Sequence, residues 1–268
     1  MTDLPYFDLL LGARGDAAAK VFERFVHWGY WEEPSRATRD LAQFAAAMER
    51  LNELVVAAAG PHDAEAILDA GCGFGGTLAG LKRRMPRATL SGLNIDPRQL
   101  AIARENAPGV SFFEGDACAM PFPAASFDRV LAVECIFHFP SRLRFLQEAA
   151  RVLKPGGTIG LSDFVPKDPG APDTFLGRAV RRRIEKGYGT GGAGWEDGGY
   201  LEMAKKAGLV LALDRDATAE VQPTYAVLLD LMKRNPSGAR MVWPTRLLSW
   251  ASALGEVRYR IVGLRKPD

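Results

Sequence analysis

The sequence predicts an α/β fold in which a mostly parallel sheet carries helices on both faces. Through the middle of the chain, short apolar segments alternate with segments of helical periodicity, which is the βαβ pattern of a parallel sheet. One apolar segment runs directly into a glycine-rich turn and a helix, over residues 67–77. The length of 268 residues and a hydrophobic content of 47% suit one domain with insertions, or one domain plus a small cap, around a sizeable core.

The amino-terminal part of the chain is predicted to be helical. Residues 1–34 are rich in aromatic side chains and are expected to form short helices. Ser35 is a plausible helix cap. Over residues 41–58 apolar side chains recur every three or four positions, which predicts a long helix with one apolar face. Gly60 with the proline after it ends this helix, and we expect the helix to pack on the edge of the sheet rather than in a coiled coil.

The alternating elements follow in regular order. Strands are expected at 66–70, 88–94, 110–113, 127–134 and 157–163. Helices are expected at 75–85, 97–106 and 141–153, with Pro97 at a helix start and a Pro-Gly-Gly turn at 155–157.

Residues 166–199 interrupt the alternation. Prolines open this segment and glycines close it, around a basic stretch at 178–186. We expect a cap over the substrate here, with a surface loop as the alternative, because long loops inside compact domains are often functional. Order returns over residues 200–268, where helices are expected at 201–207 and 225–233 and strands at 209–213 and 256–264.

Charge and composition exclude several classes of protein. The net charge of +2, from 34 basic and 32 acidic residues, gives no electrostatic case for binding nucleic acid or an anionic membrane. No apolar run is long enough for a membrane span, and no signal peptide is evident. Cys72, Cys118 and Cys135 are odd in number and lie in predicted core or turn segments, which is typical of reduced cysteines in a cytoplasmic protein. No spacing of cysteine and histidine indicates a metal site.

The glycine-rich turn predicts a ligand site at the carboxyl end of a strand, where open α/β sheets bind ligands. Gly71, Gly73 and Gly76 fit the three spaced glycines of dinucleotide-binding turns, so a dehydrogenase that binds NAD is one alternative. Asp69 lies two residues before the first glycine, where its carboxylate can accept hydrogen bonds from a cationic amine or from loop amides and would repel a pyrophosphate. We therefore infer an amine-bearing ligand, S-adenosylmethionine (SAM).

Residues 68–75 resemble the first motif of the class I SAM-dependent methyltransferases, acidic-x-Gly-x-Gly-x-Gly. Four further segments, at 91–96, 114–117, 120–128 and 151–157, resemble that family's second strand end, adenine-binding turn, approach to the fourth strand and turn into the fifth. These segments stand in the family's order over about 100 residues, which chance agreement does not explain. His27 to Trp31 resembles a subgroup that methylates sterols, lipids and bacterial natural products.

The resemblance implies a Rossmann-like seven-stranded sheet whose last pair of strands includes one antiparallel strand. It also implies four segments along the chain. These are an amino-terminal helical segment that closes the site (1–60), a SAM-binding core (61–165), a cap or lid insertion (166–199) and the completion of the sheet (200–268).

Cofactor-binding roles follow from the resemblance, residue by residue. Asp69 and the glycines Gly71, Gly73 and Gly75 would bring the backbone to the methionine moiety of SAM. Asn94 stands where most members carry an acidic residue that holds both ribose hydroxyls. An amide there can accept one hydrogen bond and donate another, without charge, and the sterol-methylating relatives also carry Asn.

Three further residues would hold the adenine. Asp116 resembles the carboxylate that accepts from the adenine amine, with a turn-forming aspartate as the alternative, and the Ala117 amide would face a ring nitrogen. Ile95 would pack on the adenine face, or is an ordinary core residue. Asp96 could replace Asn94 at the ribose, or cap the next helix.

Two residues after the fourth strand are the catalytic candidates, because this segment should open onto the methyl group. His138 is the best candidate general base, or a residue that only lines the pocket. Glu134 would touch the cofactor or orient its neighbours, and Asp163 is a lesser candidate. Tyr30, within the aromatic segment at 27–31, could close over the cofactor by packing on the sulfonium, or serve as part of a hydrophobic staple.

The sequence therefore predicts a SAM-dependent methyltransferase that methylates a hydroxyl of a small-molecule acceptor in natural-product or lipid biosynthesis. C-methylation of a polyketide, sterol-like or isoprenoid acceptor is the alternative within the class. A silent SAM-binding scaffold is an alternative outside it, beside the dehydrogenase. We expect a cytoplasmic monomer or homodimer with a small-molecule acceptor as its partner, and with no nucleic acid, metal or membrane span.

Overall fold

The computed structural model describes residues 19–170, 182–184, 187–188, 197–234 and 239–268. Its strands form one seven-stranded sheet in the order β3-β2-β1-β4-β5-β7-β6. They are β1 (Ala66–Ala70), β2 (Thr89–Asn94), β3 (Ser111–Glu114), β4 (Phe127–Val133), β5 (Leu153–Pro166), β6 (Val210–Asp216) and β7 (Val257–Arg265). β7 is antiparallel to both of its neighbours, whereas β1 to β5 pair in parallel, so the sheet is mixed.

Eight α-helices surround the sheet in the described part of the chain. They are α1 (Leu41–Ala59), α2 (Gly76–Arg84), α3 (Pro97–Asn106), α4 (Arg142–Val152), α5 (Tyr200–Lys206), α6 (Thr218–Val221), α7 (Pro223–Arg234) and α8 (Ala239–Ala253). Short 3-10 turns lie at Ala19–Phe22, Pro34–Arg36 and Ile136–His138.

Alternating side chains of the central strands serve two separate cores. Leu68 and Val130 lie in a cluster with apolar residues of α4 and α5. Their neighbours Ile67 and Leu131 lie in another cluster, with residues of α1, α2 and α3. Because successive side chains of a strand point to opposite faces, helices cover both faces of the sheet, as predicted.

The long helix α1 differs from its prediction in two respects. Asp40 caps it, with a side chain that accepts a hydrogen bond from the Gln43 amide, whereas Ser35 lies in a separate 3-10 turn. The helix contacts β4, β5 and β7, which are interior strands, so it crosses the sheet rather than packing on its edge. Its end at Gly60 is confirmed, since this residue has the left-handed conformation of a helix C-cap.

Two helices and one long strand were not predicted as they stand. α6 and α8 lie between β6 and β7, and α8 contains Pro244, which argues against a helix at the level of sequence. β5 begins at Leu153 and so includes the segment predicted as a turn at 155–157. The expected short helices at 1–18 and most of the predicted cap at 166–199 lie outside the described residues.

No described helix is both long enough and apolar enough to cross a membrane.

Candidate active site

A cavity of about 360 Å³ opens at the carboxyl ends of β1, β2 and β4. Beside those strand ends, residues 24–27 and the turn after β3 complete its lining. The predicted site residues that line it are Asp69, Gly71, Gly73, Asn94, Ile95, Asp116, Ala117, Glu134 and His138. The structure thus brings together side chains from four separate parts of the sequence, and leaves Gly75 and Tyr30 outside the lining.

The glycine turn between β1 and α2 needs glycine for two different reasons. At Gly73 (φ +51°) the nearest atom to an added Cβ is Gln99 Oε1 at 4.0 Å, so the position is open toward the cavity but its backbone is left-handed. At Gly75 (φ +77°) an added Cβ would lie 3.1 Å from atoms of Ala103 in α3. Gly75 therefore allows two helices to approach, and the structure places it behind the cavity wall rather than in it.

Asp69 presents a buried carboxylate to the cavity. The residue is 2% exposed, and its Oδ1 atom has no hydrogen-bond partner among the described residues. Burial raises the pKa of Asp69 to about 7, because the ionised form loses its hydration. A cationic amine in the cavity would supply both the missing hydrogen bond and a compensating charge, so the site fits the predicted ligand.

Asn94, the residue predicted to contact the ribose, is hydrogen-bonded to Gln99. Asn94 donates from Nδ2 to Gln99 Oε1 at 2.9 Å, and Gln99 also lines the cavity. Sequence reasoning missed Gln99, although its place in the first turn of α3 brings it back to the end of β2. Asp96 does not replace Asn94, because its carboxylate caps α3 and pairs with the Arg98 guanidinium at 2.7 Å.

The residues at the predicted adenine end lie in the turn after β3 and after β2. Asp116 accepts a hydrogen bond from the Cys118 amide at 2.8 Å, so it stabilises its own turn while lining the cavity. Ile95 is 54% exposed and lines the cavity. Ala117 is buried beside them.

Glu134 directly follows β4. Its backbone is left-handed (φ +50°), and its carboxylate is buried and hydrogen-bonded. The Trp28 amide donates to its two oxygens at 3.1 and 2.9 Å, and the Tyr259 hydroxyl donates to Oε2 at 2.6 Å. Burial raises the pKa of Glu134 to about 8, although both donors oppose this shift. Of its two predicted roles, the geometry favours orienting the neighbours, since the carboxylate anchors the amino-terminal segment.

His138 and Asp163 differ sharply in their surroundings. His138 ends the 3-10 turn after β4, is half-buried and lines the cavity, with its ring centroid 4.3 Å from that of Phe137. Asp163 is fully buried in an ion pair with Arg142 (2.7 Å) and accepts from the Tyr200 hydroxyl at 2.8 Å. Asp163 thus joins β5 to α4 and α5 and does not line the cavity.

Comparison with known proteins identifies the family. A methyltransferase domain model matches residues 68–161, which run from within β1 through β2, β3 and β4 into β5. The methyltransferase GfsG from Streptomyces halstedii is 32% identical over 221 residues, which cover 78% of this chain and 74% of that protein. The chain belongs to the class I SAM-dependent methyltransferases. The cofactor of this methyltransferase is therefore SAM, as inferred from Asp69, and the family does not support the dehydrogenase alternative for the glycine turn.

Two further relatives show the range of the family. An O-methyltransferase from Pyrenophora dematioidea is 33% identical over 166 residues, or 59% of this methyltransferase and 60% of that protein. The crystal structure of geranyl diphosphate C-methyltransferase from Streptomyces coelicolor A3(2), in complex with Mg2+, geranyl diphosphate and S-adenosyl-L-homocysteine (SAH), has a TM-score of 0.76 and 15% identity. The alignment covers 99% of each chain and shows that the two proteins share a fold.

Tyr30 lies away from the cavity of the methyltransferase. Its ring packs under the Arg215 guanidinium, 5.1 Å from the ring centroid, and its hydroxyl accepts a hydrogen bond from that group. The neighbouring Trp28 and Trp31 pack against Phe164 and Phe44 in the core, which corresponds to the staple alternative. Tyr30 therefore does not line the cavity, whereas His27 of the same segment does.

The cavity contacts of the amino-terminal segment are instead made by residues 24–27, of which Arg24 was not predicted. His27 was predicted only as part of the aromatic cluster, yet it is 7% exposed and lines the cavity. No spacing in the sequence indicates these contacts, because they join residues 24–27 to strand ends that lie more than 40 residues further along the chain. Among the described residues, no group of three histidine, cysteine or acidic side chains could hold a metal ion.

Proposed function

We propose that this methyltransferase methylates a hydroxyl group of a small natural-product or lipid-like acceptor, with His138 as the general base. The observation that carries the proposal is the position of His138 in the cavity lining just beyond the end of β4. The two acidic alternatives are engaged elsewhere, since Glu134 holds Trp28 and Asp163 holds Arg142. The similarity to the Pyrenophora dematioidea O-methyltransferase supports the same reaction.

The chain's residues would contribute mainly by positioning. SAM, when bound, supplies a methyl group activated by its sulfonium. Asp69 would accept from the amine, the backbone of the glycine turn would pass close to the methionine moiety, and Asn94 with Gln99 would face the ribose. His138 would accept the proton that the acceptor hydroxyl loses when it becomes an ether oxygen, so that no positive charge remains on that oxygen.

Replacement of His138 tests the base. The change His138→Ala should reduce turnover by about 10²–10⁴-fold, because it removes the proton acceptor, and should leave SAH affinity nearly unchanged. The measurement is single-turnover methyl transfer with calorimetry of SAH binding in parallel. His62→Ala is the matched control, since His62 is exposed and does not line the cavity. Near-normal turnover of His138→Ala would leave His138 as a lining residue only.

C-methylation is the second candidate, because the chain shares its fold with a geranyl diphosphate C-methyltransferase. Transfer of a ¹³C-labelled methyl group distinguishes the candidates, because NMR of the product shows whether the new carbon is bonded to oxygen or to carbon.

We also propose the four-segment organisation, with residues 166–199 as a cap. Support comes from the few described residues of that segment, since the Tyr188 hydroxyl lies 2.7 Å from Thr245 Oγ1 in α8. A cytoplasmic location is proposed because the chain's three cysteines are buried and unpaired. A monomer or homodimer without a nucleic-acid partner remains part of the same proposal.

A further inference from the structure

Three buried polar atoms without hydrogen-bond partners belong to residues that line the same cavity. They are Asp69 Oδ1, His27 Nε2 and Arg24 Nη2, and they make up half of the six such side-chain atoms found in the described part of the chain. Buried polar atoms are nearly always paired in folded proteins, so their convergence on one cavity indicates a ligand with complementary groups. One of the three residues is anionic, one is cationic and one is an imidazole.

Arg24 lies at the methionine end of the cavity. Its backbone carbonyl rests on the first residue of α2, since a Cβ added to Gly76 would collide with that oxygen. Its guanidinium lies 5.0 Å from the Phe25 ring centroid, and Nη1 lies 3.4 Å from a Glu49 oxygen. The glycine turn after Asp69 leads directly into α2, so Arg24 lies beside this turn.

His27 is fixed with one nitrogen available as an acceptor. Its Nδ1 lies 2.7 Å from the Trp28 carbonyl oxygen, which can only accept, so Nδ1 carries the proton. Burial lowers the pKa of His27 to about 4, which keeps the ring neutral and leaves a lone pair on Nε2. The Trp28 amide donates to the Glu134 carboxylate, so the backbone of the residue after His27 is also fixed in position.

We propose that Arg24, His27 and Asp69 form a clamp for the zwitterionic amino-acid end of the cofactor. Arg24 Nη2 donates to the α-carboxylate, while Asp69 Oδ1 and His27 Nε2 accept two of the three protons of the α-ammonium. The inference rests on SAM as the cofactor but not on the nature of the acceptor. It makes the amino-terminal segment a determinant of cofactor specificity, because two of the three groups come from residues before α1.

The clamp predicts discrimination between ligands that differ only at this end. SAH carries both groups, S-adenosyl-3-thiopropylamine lacks the carboxylate, and 5′-methylthioadenosine lacks the carboxylate and the amine. Calorimetry with the unmodified chain should show SAH as the tightest ligand and methylthioadenosine as the weakest. Loss of one charge-assisted hydrogen bond should correspond to about a 10-fold to 150-fold change in dissociation constant.

Two substitutions then separate the two halves of the clamp. Arg24→Met should weaken SAH by about tenfold or more and leave the affinity for S-adenosyl-3-thiopropylamine unchanged. His27→Phe should weaken both amine-bearing ligands and leave methylthioadenosine unchanged, and His27→Gln, which keeps an acceptor, should restore part of the affinity. Arg36→Met is the matched control, because Arg36 pairs with Glu33 on the surface and does not line the cavity.

The ligand series also separates a clamp from a structural role. If Arg24→Met weakens all three ligands equally, or none of them, the assignment of Arg24 to the carboxylate is overturned. If His27→Phe and His27→Gln both weakened methylthioadenosine binding by the same factor, the role of His27 would likewise be overturned. If the protein bound SAH but methylated no hydroxyl, the proposed function would be contradicted and the clamp would stand. If the protein methylated a hydroxyl but Arg24→Met weakened all three ligands equally, the clamp would be contradicted and the proposed function would stand.

Discussion

The buried carboxyl group of Asp69 is close to half-protonated at neutral pH. Its pKa is raised to about 7 by burial alone, since no described group donates to Oδ1. A cationic amine beside it favours the ionised form, so that binding of SAM or SAH should release a proton near neutral pH. The residue therefore couples cofactor affinity to pH.

The first prediction concerns this coupling. SAH affinity should fall as the pH drops below about 7, by up to about tenfold per pH unit, because protonation of Asp69 competes with the amine. Asp69→Asn should bind more weakly above pH 7 and lose the pH dependence. Calorimetry in buffers of different ionisation enthalpy measures the proton release directly. A wild-type affinity that stays flat between pH 5 and 8 would contradict this role of Asp69.

The second prediction concerns Glu134, whose pKa is raised from 4.5 to about 8. The folded state binds the proton more tightly than the unfolded state does. Its contribution to stability is therefore fully present below about pH 4.5 and is lost as the pH rises toward 8. Glu134→Gln should flatten this decline in the free energy of unfolding, measured by urea denaturation across the pH range.

Truncation of the same side chain gives a complementary result. Glu134→Ala should cost about 1–3 kcal/mol, because it leaves the buried Trp28 amide without its acceptor, while the Tyr259 hydroxyl keeps its hydrogen bond to Ser162 Oγ. If Glu134→Ala were as stable as the wild type, the carboxylate would not anchor the amino-terminal segment.

Helices and strands whose apolar residues recur with a regular period could be predicted from the sequence. A helix with apolar residues on all sides could not. The strands and helices from β1 to α4 follow the expected alternation because each helix shows one apolar face and each strand is short and apolar. α8 has Met241 and Leu248 buried and Trp243 and Trp250 exposed, so apolar residues occur all round it and give no helical period. Its internal proline obscured it further.

The same contrast holds for the site. Residues at strand ends, such as Asp69 and Asn94, could be predicted because parallel strands bring their carboxyl ends to one edge of the sheet. That Arg24 lines the cavity and Tyr30 does not could not be predicted, because neighbouring residues of the amino-terminal segment face different parts of the protein. Which of them faces the cavity depends on contacts such as that between the Trp28 amide and Glu134, which no local pattern encodes.

The third prediction concerns the packing of α1 on the sheet. Gly160 in β5 lies directly under this helix, and a Cβ there would collide with the Val55 carbonyl oxygen. Gly160→Ala should therefore cost about 1–3 kcal/mol, because the helix must shift. Gly80→Ala in α2 is the matched control, since its nearest atom is a flexible arginine nitrogen at 3.8 Å, and it should gain about 0.5–1 kcal/mol. Equal stability of the two variants in urea denaturation would contradict this packing.

In the molecule as a whole, the site lies where the chain changes direction across the sheet. From β1 the order runs outward through β2 and β3, and then returns to β4 on the other side. This switch point leaves a crevice above β1 and β4, which is where open α/β sheets bind ligands. The amino-terminal segment lies along the crevice and is held at two points: the Trp28 amide donates to Glu134, and the Trp31 amide donates to the Glu220 carbonyl in α6.

The central claim is that this crevice holds SAM with its amino-acid end under the amino-terminal segment and its adenine at the turn after β3. A crystal structure of the protein with SAH tests this most directly. The claim predicts the amine within hydrogen-bond distance of Asp69, the carboxylate at Arg24, and the adenine against Ile95 and Asp116. SAH bound in the reverse direction, or outside the cavity lined by these residues, would contradict it.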